Sequence, residues 1–363
     1  MTEGKLSDFI AGMMTAISNC SLYSEKHPIV NEFTESSFGL LKDLYADESF
    51  RITLLGDSLV INENPLTEKG IHFDNLKKRL RRKGIEKIDI RRGITVEEFK
   101  KFIEGVASKE AVLTSPHISV GIVEVRSGSE GFSVKSLIED NIAKVKGLYQ
   151  GISHETELDI ESMEETVIGL ISAVKREANV LNIISPIKTY NEYTHVHATN
   201  VSVLTIFQAR TLGMNEETIY DVGLAGLLHD VGKMFVPKEV LNKRASLGPN
   251  EWNLMKLHTV YGARYLSALH DAPKIVMIVA FEHHMKFDGS GYPDAVHGGK
   301  RQHLVSQMVE LSDFFDALRT ARPHRKPLEA GPIANFLTKG AGREFNPVLV
   351  ENFVGALMDI NAI

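Results

Sequence analysis

In the C-terminal half of this chain, histidine and aspartate stand where helical apolar stripes should continue. That pattern limits the fold more than any other feature of the sequence. In the helix expected after Pro249, Met255, His258, Gly262, Leu266 and Leu269 fall on one face, so His258 points inward. In the next helix Val276, Val279 and His283 align, with Met277, Ala280 and His284 beside them. The run from Ile275 to Phe281 is apolar all round, which predicts a buried helix that ends in two adjacent histidines. In the helix from Gln302, Val305, Val309 and Asp313 are spaced by four, and this carboxylate also faces inward. His197 shares a face with Val201 and Leu204, and His229-Asp230 closes the apolar run LAGLLHD.

Each of these residues alone has an ordinary explanation, a hydrogen-bonded core histidine or a capping aspartate. Seven such side chains on five helices do not. Burying that many polar groups without partners would cost several kcal/mol. A shared metal centre satisfies them together, and mixed imidazole and carboxylate ligands suit iron, manganese, zinc or nickel. Seven ligands are too many for one ion and suit two, the usual device for phosphoester hydrolysis. Lys233, in HDVGK, is close enough in sequence to reach a phosphate held there. Arg322 and Arg325, in RPHR, follow the Asp313 helix, and arginine grips phosphate oxygens in a bidentate fork.

The rest of the chain sets the frame. Its 363 residues suffice for two domains, and the proportions of apolar and charged residues are those of a globular protein. A net charge of -6 argues against a partner as polyanionic as duplex nucleic acid, though not against a small anionic substrate. A single cysteine, Cys20, excludes an internal disulfide and makes a reducing cytoplasm the simplest compartment. The start, MTEGKLSDF, lacks the features of a signal peptide, and no apolar run approaches the roughly 20 residues needed to cross a bilayer, so no membrane association is expected.

Residues 1–135 read as a small mixed α/β domain, expected to be regulatory. Ser7–Ser18 and Val30–Tyr45 look helical. Arg51–Leu55 and Leu59–Asn62 flank a Gly-Asp-Ser turn as a hairpin, and Ile85–Ile90 and Ile118–Val125 look like strands. Thr95 and Glu98 form a capping box, with Ile94 placed to staple Phe99. The basic stretch from Lys77 to Lys83 lies opposite Phe73, Leu76 and Leu80 and reads as a solvated helix face. RSGSEGF, at 126–132, reads as a loop. Residues 136–190 read as a linker and connecting helices, whose stripe from Met163 to Leu181 packs against a neighbouring domain or, though short for it, forms a homodimer seam. Residues 191–363 read as all-helical, with six or more helices punctuated by Asn215, Pro249 and Asn346-Pro347.

HDVGK, VPKEVLNK, the helical His258, EHH followed by FDGSGYP, and LSDFFDALRTARPHR together resemble the HD-GYP branch of the HD phosphohydrolase superfamily. YTHVH at 193–197 is similar to its opening motif, and GREFNPVLV to its closing segment. The resemblance covers roughly residues 160–360. It implies an all-helical catalytic domain, a di-iron or di-manganese site, and hydrolysis of cyclic di-GMP to linear pGpG, with further cleavage to GMP left open. It assigns the metal to His197, His229, Asp230, His258, His283, His284 and Asp313, the set that the stripes select. It places Lys233, Arg322 and Arg325 at the substrate phosphates. It makes the loop Asp288–Pro293 the family signature, in which Gly289 and Gly291 allow unusual backbone angles and Tyr292 is extended before proline.

The chain departs from the family at Met285, where Glu is usual, and at His324, where Tyr is usual. Tyr193 replaces a Glu that helps some members to hold a third metal, so two ions are expected. Three other functions compete with this one. A plain HD nucleotide phosphohydrolase lacks the FDGSGYP loop. A non-catalytic receptor for the dinucleotide would be favoured by a lost ligand, and none is lost. A purely structural protein leaves the inward histidines unexplained. No residue reads the bases, so a mixed guanine–adenine cyclic dinucleotide also fits.

Overall fold

The computed structural model describes residues 3–55, 58–66, 70–108, 112, 114–121, 134–153, 158–185, 193–243, 245–269, 272–293, 302–320 and 327–360. The turn of the expected hairpin at 56–57, the loop at 126–132, and the arginine segment 321–326 lie outside them. The chain divides into two compact units, residues 1–128 and residues 129–363, with only the stretch 215–217 grouped with the first.

The first unit is mixed. Helices α1 (Glu3–Leu22) and α2 (Pro28–Leu41) precede the strands β1 (Ser49–Leu55), β2 (Ser58–Ile61) and β3 (Asn64–Pro65). Then come α3 (Ile71–Arg82), β4 (Lys87–Arg91), α4 (Val96–Ala107) and β5 (Ile118–Gly121). The sheet is antiparallel throughout, in the order β3-β2-β1-β4-β5. Register pairs Ile52 with Ile61, Phe50 with Ile90, and Ile90 with Ile118. Because strand side chains alternate, these residues share one face, and all are buried. Phe9 of α1 meets Phe50 edge-on at 5.3 Å, so α1 covers that face. Thr95 and Glu98 close the capping box that starts α4. Both helices at the start are offset from the sequence expectation, and α1 is longer at each end.

The second unit is helical, and no strand occurs among its described residues. It begins with α5 (Val134–Ser153), α6 (Ile160–Arg176) and a 3-10 turn at Val180–Asn182. There follow α7 (Tyr193–Thr211), α8 (Glu216–Leu228), a 3-10 turn at Val231–Phe235, α9 (Lys238–Leu241), α10 (Pro249–Lys256) and α11 (His258–Ser267). The last four are α12 (Lys274–Glu282), α13 (Leu304–Arg319), α14 (Ala330–Gly340) and α15 (Pro347–Asp359). One continuous core runs from Ile138 of α5 to Leu357 of α15. Among the described residues, no helix is long and apolar enough to cross a membrane.

At the centre lies α7, buried on every side from His195 to Ala209. Its polar residues survive there because they find partners. Ser202 donates to the Gly223 carbonyl, Thr205 to the Ser312 hydroxyl, and Gln208 to the Met308 carbonyl. Glycines set how close the neighbours come. A Cβ on Gly226 would lie 3.1 Å from Ser202 Cα, and one on Gly223 2.9 Å from Ile206, so α8 presses against α7. Gly232 is tighter still. A Cβ there would sit 1.8 Å from the His258 carbonyl oxygen and 2.5 Å from the Gly262 nitrogen. The turn after His229-Asp230 therefore lies directly on α11.

Two helical expectations need correction. The segment after Pro249 is not one helix. It breaks at Leu257, whose N–H donates to the Leu254 carbonyl, while the Met255 carbonyl is taken by the His258 imidazole. His258 thus opens a new helix. Nor is α12 buried all round: Val276, Val279 and Ala280 are buried, but Ile275, Met277, Ile278 and Phe281 are half-buried. The helices that pack on α12, α11 and α13, cover only one face.

The close approach at Gly232 predicts that Gly232→Ala unfolds at a markedly lower temperature, with a loss on the order of 2–3 kcal/mol or more because backbone must move. Gly147→Ala, mid-helix with open space at its Cβ, should instead gain up to about 1 kcal/mol. Thermal melts of both variants check the pair. Residues Ile138, Val145, Tyr149 and Ile152 make α5 part of the core. A fragment from residue 134 to the end is therefore expected to fold. One beginning at residue 155 should be weaker by on the order of 5 kcal/mol, measured by urea denaturation.

Candidate metal centre

Three of the inward histidines stand at the ends of helices, and the helix end explains their aim. A helix leaves its last carbonyls without intrahelical partners. His229, just past α8, uses Nδ1–H to satisfy the Gly226 carbonyl at 2.7 Å. His258, just past α10, satisfies Met255 at 2.7 Å, and His283, just past α12, satisfies Ala280 at 3.0 Å. In each case the acceptor lies three residues earlier. A carbonyl cannot donate, so Nδ1 must carry the proton, and the lone pair is left on Nε2. The Nε2 atoms of all three converge on Asp230. His229 Nε2 lies 3.3 Å from Asp230 Oδ2, and the other two lie 3.3 and 3.6 Å from Oδ1.

His197 is aimed differently. Its Nδ1 is 2.7 Å from the buried Asp316 carboxylate, which in turn accepts from Asn200 at 2.8 Å. Its Nε2 is 3.0 Å from Asp313 Oδ1 and 3.8 Å from Asp230 Oδ2. His284 packs its ring on that of His283 at 4.2 Å and on that of Tyr292 at 4.6 Å. The seven residues selected from the sequence thus meet as two groups: Asp230, His258, His283 and His284, and His197, His229 and Asp313. The two oxygens of Asp230 face one group each.

Electrostatics suit a cation. Burial drives the imidazoles of His258, His283 and His284 toward neutrality, His258 down to about 3. Burial alone would raise Asp230, but the Lys233 ammonium and His229 outweigh it and hold the carboxyl well below its usual range. Asp313 is likewise held down by His197 against the effect of burial. The result is three neutral imidazoles beside two ionised carboxylates, with their lone pairs directed inward.

The donor set also carries a deficit that a metal fills. Nε2 of His258 and of His283 face each other at 3.2 Å, although both Nδ1 atoms hold the proton. Two lone pairs at that distance repel unless a cation takes them. His229 Nε2 and Asp230 Oδ1 are buried and make no hydrogen bond. The carbonyl ends of three helices, α8, α10 and α12, lie here as well, which favours positive charge. These residues fit divalent transition-metal ions held by imidazole and carboxylate.

The other sequence candidates fare unevenly. Lys233 pairs with Asp230 at the edge of the cluster. Tyr292 is brought to it, against His284. Asp288 is not: it is exposed, and its carboxylate accepts from the backbone and hydroxyl of Ser290, which holds it ionised. Gly289 and Gly291 have φ of 84° and 96°. At Gly291 a Cβ would lie 2.3 Å from the His284 carbonyl, so the loop folds back on the paired histidines. Phe287 and Asp288 donate their N–H groups to the carbonyls of Glu344 and Arg343, and Lys286 pairs with Glu344 at 2.7 Å. The signature loop and the closing segment GREF therefore form one structure. Arg322, Arg325 and His324 lie outside the described residues, as does the side chain of Tyr193. Met285 is buried.

Sequence reasoning missed Asp316 and Asn200, which orient His197. The signal was present: Asp316 follows Asp313 by three, one helical turn along the same face of α13. It also missed Glu310, one turn before Asp313, whose carboxyl burial pushes up to about 9.

Comparisons with known proteins agree with this geometry. Residues 183–349 match the family model of the HD domain. A cyclic di-GMP phosphodiesterase of Pseudomonas aeruginosa is 32% identical over 215 residues, 59% of this chain and 51% of that protein. A 3'3'-cGAMP-specific phosphodiesterase of Vibrio cholerae is 31% identical over 173 residues, 47% of this chain and 33% of that protein. The match thus spans about half the length of the first relative and less of the second. A solved HDG"Y"P protein of Bdellovibrio bacteriovorus superposes with a TM-score of 0.51 over 87% of this chain and 97% of its own, at 16% identity, and shares the fold. Over residues 183–349, less than half of the chain, the helical unit that gathers these histidines thus matches the HD domain, and its motifs resemble the HD-GYP branch.

Proposed function

We propose that the protein is a metal-dependent phosphodiesterase that opens cyclic di-GMP to linear pGpG, with a second cleavage to GMP available at the same site. The observation that carries this reading is the pair of ligand groups joined by the two oxygens of Asp230. The expected metal content is two ions, iron or manganese. Bound there, they would supply a nucleophile from water at neutral pH and positive charge opposite the phosphate.

The chain's own residues do the rest. Gly226, Met255, Ala280 and Asp316 hold the four imidazoles in one tautomer and one orientation. Lys233 sits on Asp230 and can exchange that carboxylate for a substrate phosphate oxygen, adding charge where the transition state develops it. Arg322 and Arg325 are assigned to the remaining phosphate contacts by their fit to the family motif. The relatives named for cyclic di-GMP favour that substrate. The relatives named for 3'3'-cGAMP support a second reading, in which the mixed dinucleotide is cleaved.

His229→Ala and Asp230→Ala are expected to lose metal and turnover together. Asp316→Ala, which touches no ion, should weaken metal affinity or activity by about 10- to 100-fold through misorientation of His197. Elemental analysis after dialysis, beside turnover of cyclic di-GMP, tests both; full occupancy in the first two variants would refute the ligand assignment. Lys233→Ala should keep its metals and slow turnover by roughly 10-fold or more. Metal-loaded protein that binds cyclic dinucleotides but cleaves none of them, with iron kept reduced or manganese supplied, would make it a receptor.

A further inference from the structure

The helix α10 is anomalous for its position. It has no buried residue, yet the carbonyl of Met255 in its last turn orients the ligand His258. One turn earlier stands Trp252, the only tryptophan of the chain, 47% exposed. Its ring lies 6.1 Å from that of Tyr292 at an interplanar angle of 79°. Tyr292 in turn lies 4.6 Å from His284 and 6.2 Å from His258. Trp252 is therefore one ring removed from the metal centre, and much of its surface is open to solvent. The rest of α10 is held without it, by the bond from the Gly248 N–H to Glu251 and the pair of Glu251 with Lys243. Core packing does not account for the residue.

We infer that Trp252, braced edge-to-face by Tyr292, is the stacking platform for one purine base of the substrate whose phosphate lies at the metal centre. The inference rests on the phosphodiesterase reading and names the residue that holds the base. The chemistry is general. An indole offers the widest aromatic face among side chains, and stacking binds any base without reading its edge. A nucleotide's own sugar separates its base from its phosphate, which matches a platform set one ring away from the ligands. Stacking on one face also explains why no hydrogen-bonding group that would choose between guanine and adenine stands out here.

The single tryptophan makes the test direct. Its fluorescence, excited at the red edge where guanine does not absorb, should be quenched in saturable fashion by a slowly hydrolysed phosphorothioate analogue of cyclic di-GMP. Trp252→Ala should raise KM for cyclic di-GMP about 10-fold or more with kcat within about twofold, and keep its metals. Trp252→Phe should restore most of the KM. Phe336→Ala, an exposed aromatic of α14, should change neither constant. Turnover by the wild type with no change of fluorescence at saturation, or a Trp252→Ala variant with unaltered KM, overturns the platform and leaves the phosphodiesterase standing. Failure of the wild type to bind or cleave any cyclic dinucleotide overturns both.

Discussion

The metal centre depends on a bond made away from it. Three histidines use one ring nitrogen to finish the helix that precedes them, and this leaves the other nitrogen fixed in space with its lone pair exposed. One hydrogen bond thus ends a helix, fixes a tautomer and points a ligand. The carbonyl partner cannot rotate, since it belongs to the helix backbone, so the imidazole inherits the rigidity of the bundle. His197, in the N-terminal part of α7, is far from the orphan carbonyls of that helix, and a buried carboxylate, Asp316, takes that part. The cost of burying Asp316 is met by Asn200, whose side chain also binds the backbone of Ser185 on both its polar atoms.

Much of this was legible in the sequence because helix periodicity is a local property. His197, His258, His283 and Asp313 sit in apolar stripes, and the stripes alone marked them as inward. The adjacency of Asp230 to two separate groups was not legible, because it depends on how helices approach one another. That approach is set by Gly223, Gly226, Gly232 and Gly262, and nothing in a one-dimensional pattern says which neighbour a glycine admits. The break at Leu257 was invisible for a related reason. The stripe through Met255, His258 and Gly262 is real, but the Met255 carbonyl goes to an imidazole and not to the next turn. Local pattern proposed a continuous helix, and a side chain overrode it.

The N-terminal unit reads differently. Its strands and its capping box follow from alternation and from Thr95 and Glu98, and its core is an ordinary sheet face covered by helix. The sequence pattern there was strong enough to place the elements, and it carried no chemistry. Alternating apolar residues specify a face and not a task. The helical unit shows the converse: polar residues in an apolar stripe say little about where helices end, but they reveal what the bundle is for.

The clasp between the FDGSGYP loop and the segment at 343–344 gives the signature loop a property that its compact motif conceals. Lys286 and Glu344 are 58 residues apart. A loop that looks self-contained in sequence is therefore sealed by chain that emerges from synthesis much later, and closing so long a segment is entropically slow. The wall of the site beside Tyr292 is thus built from both ends of a 58-residue span, and a change at 343–344 reaches the paired histidines without touching them.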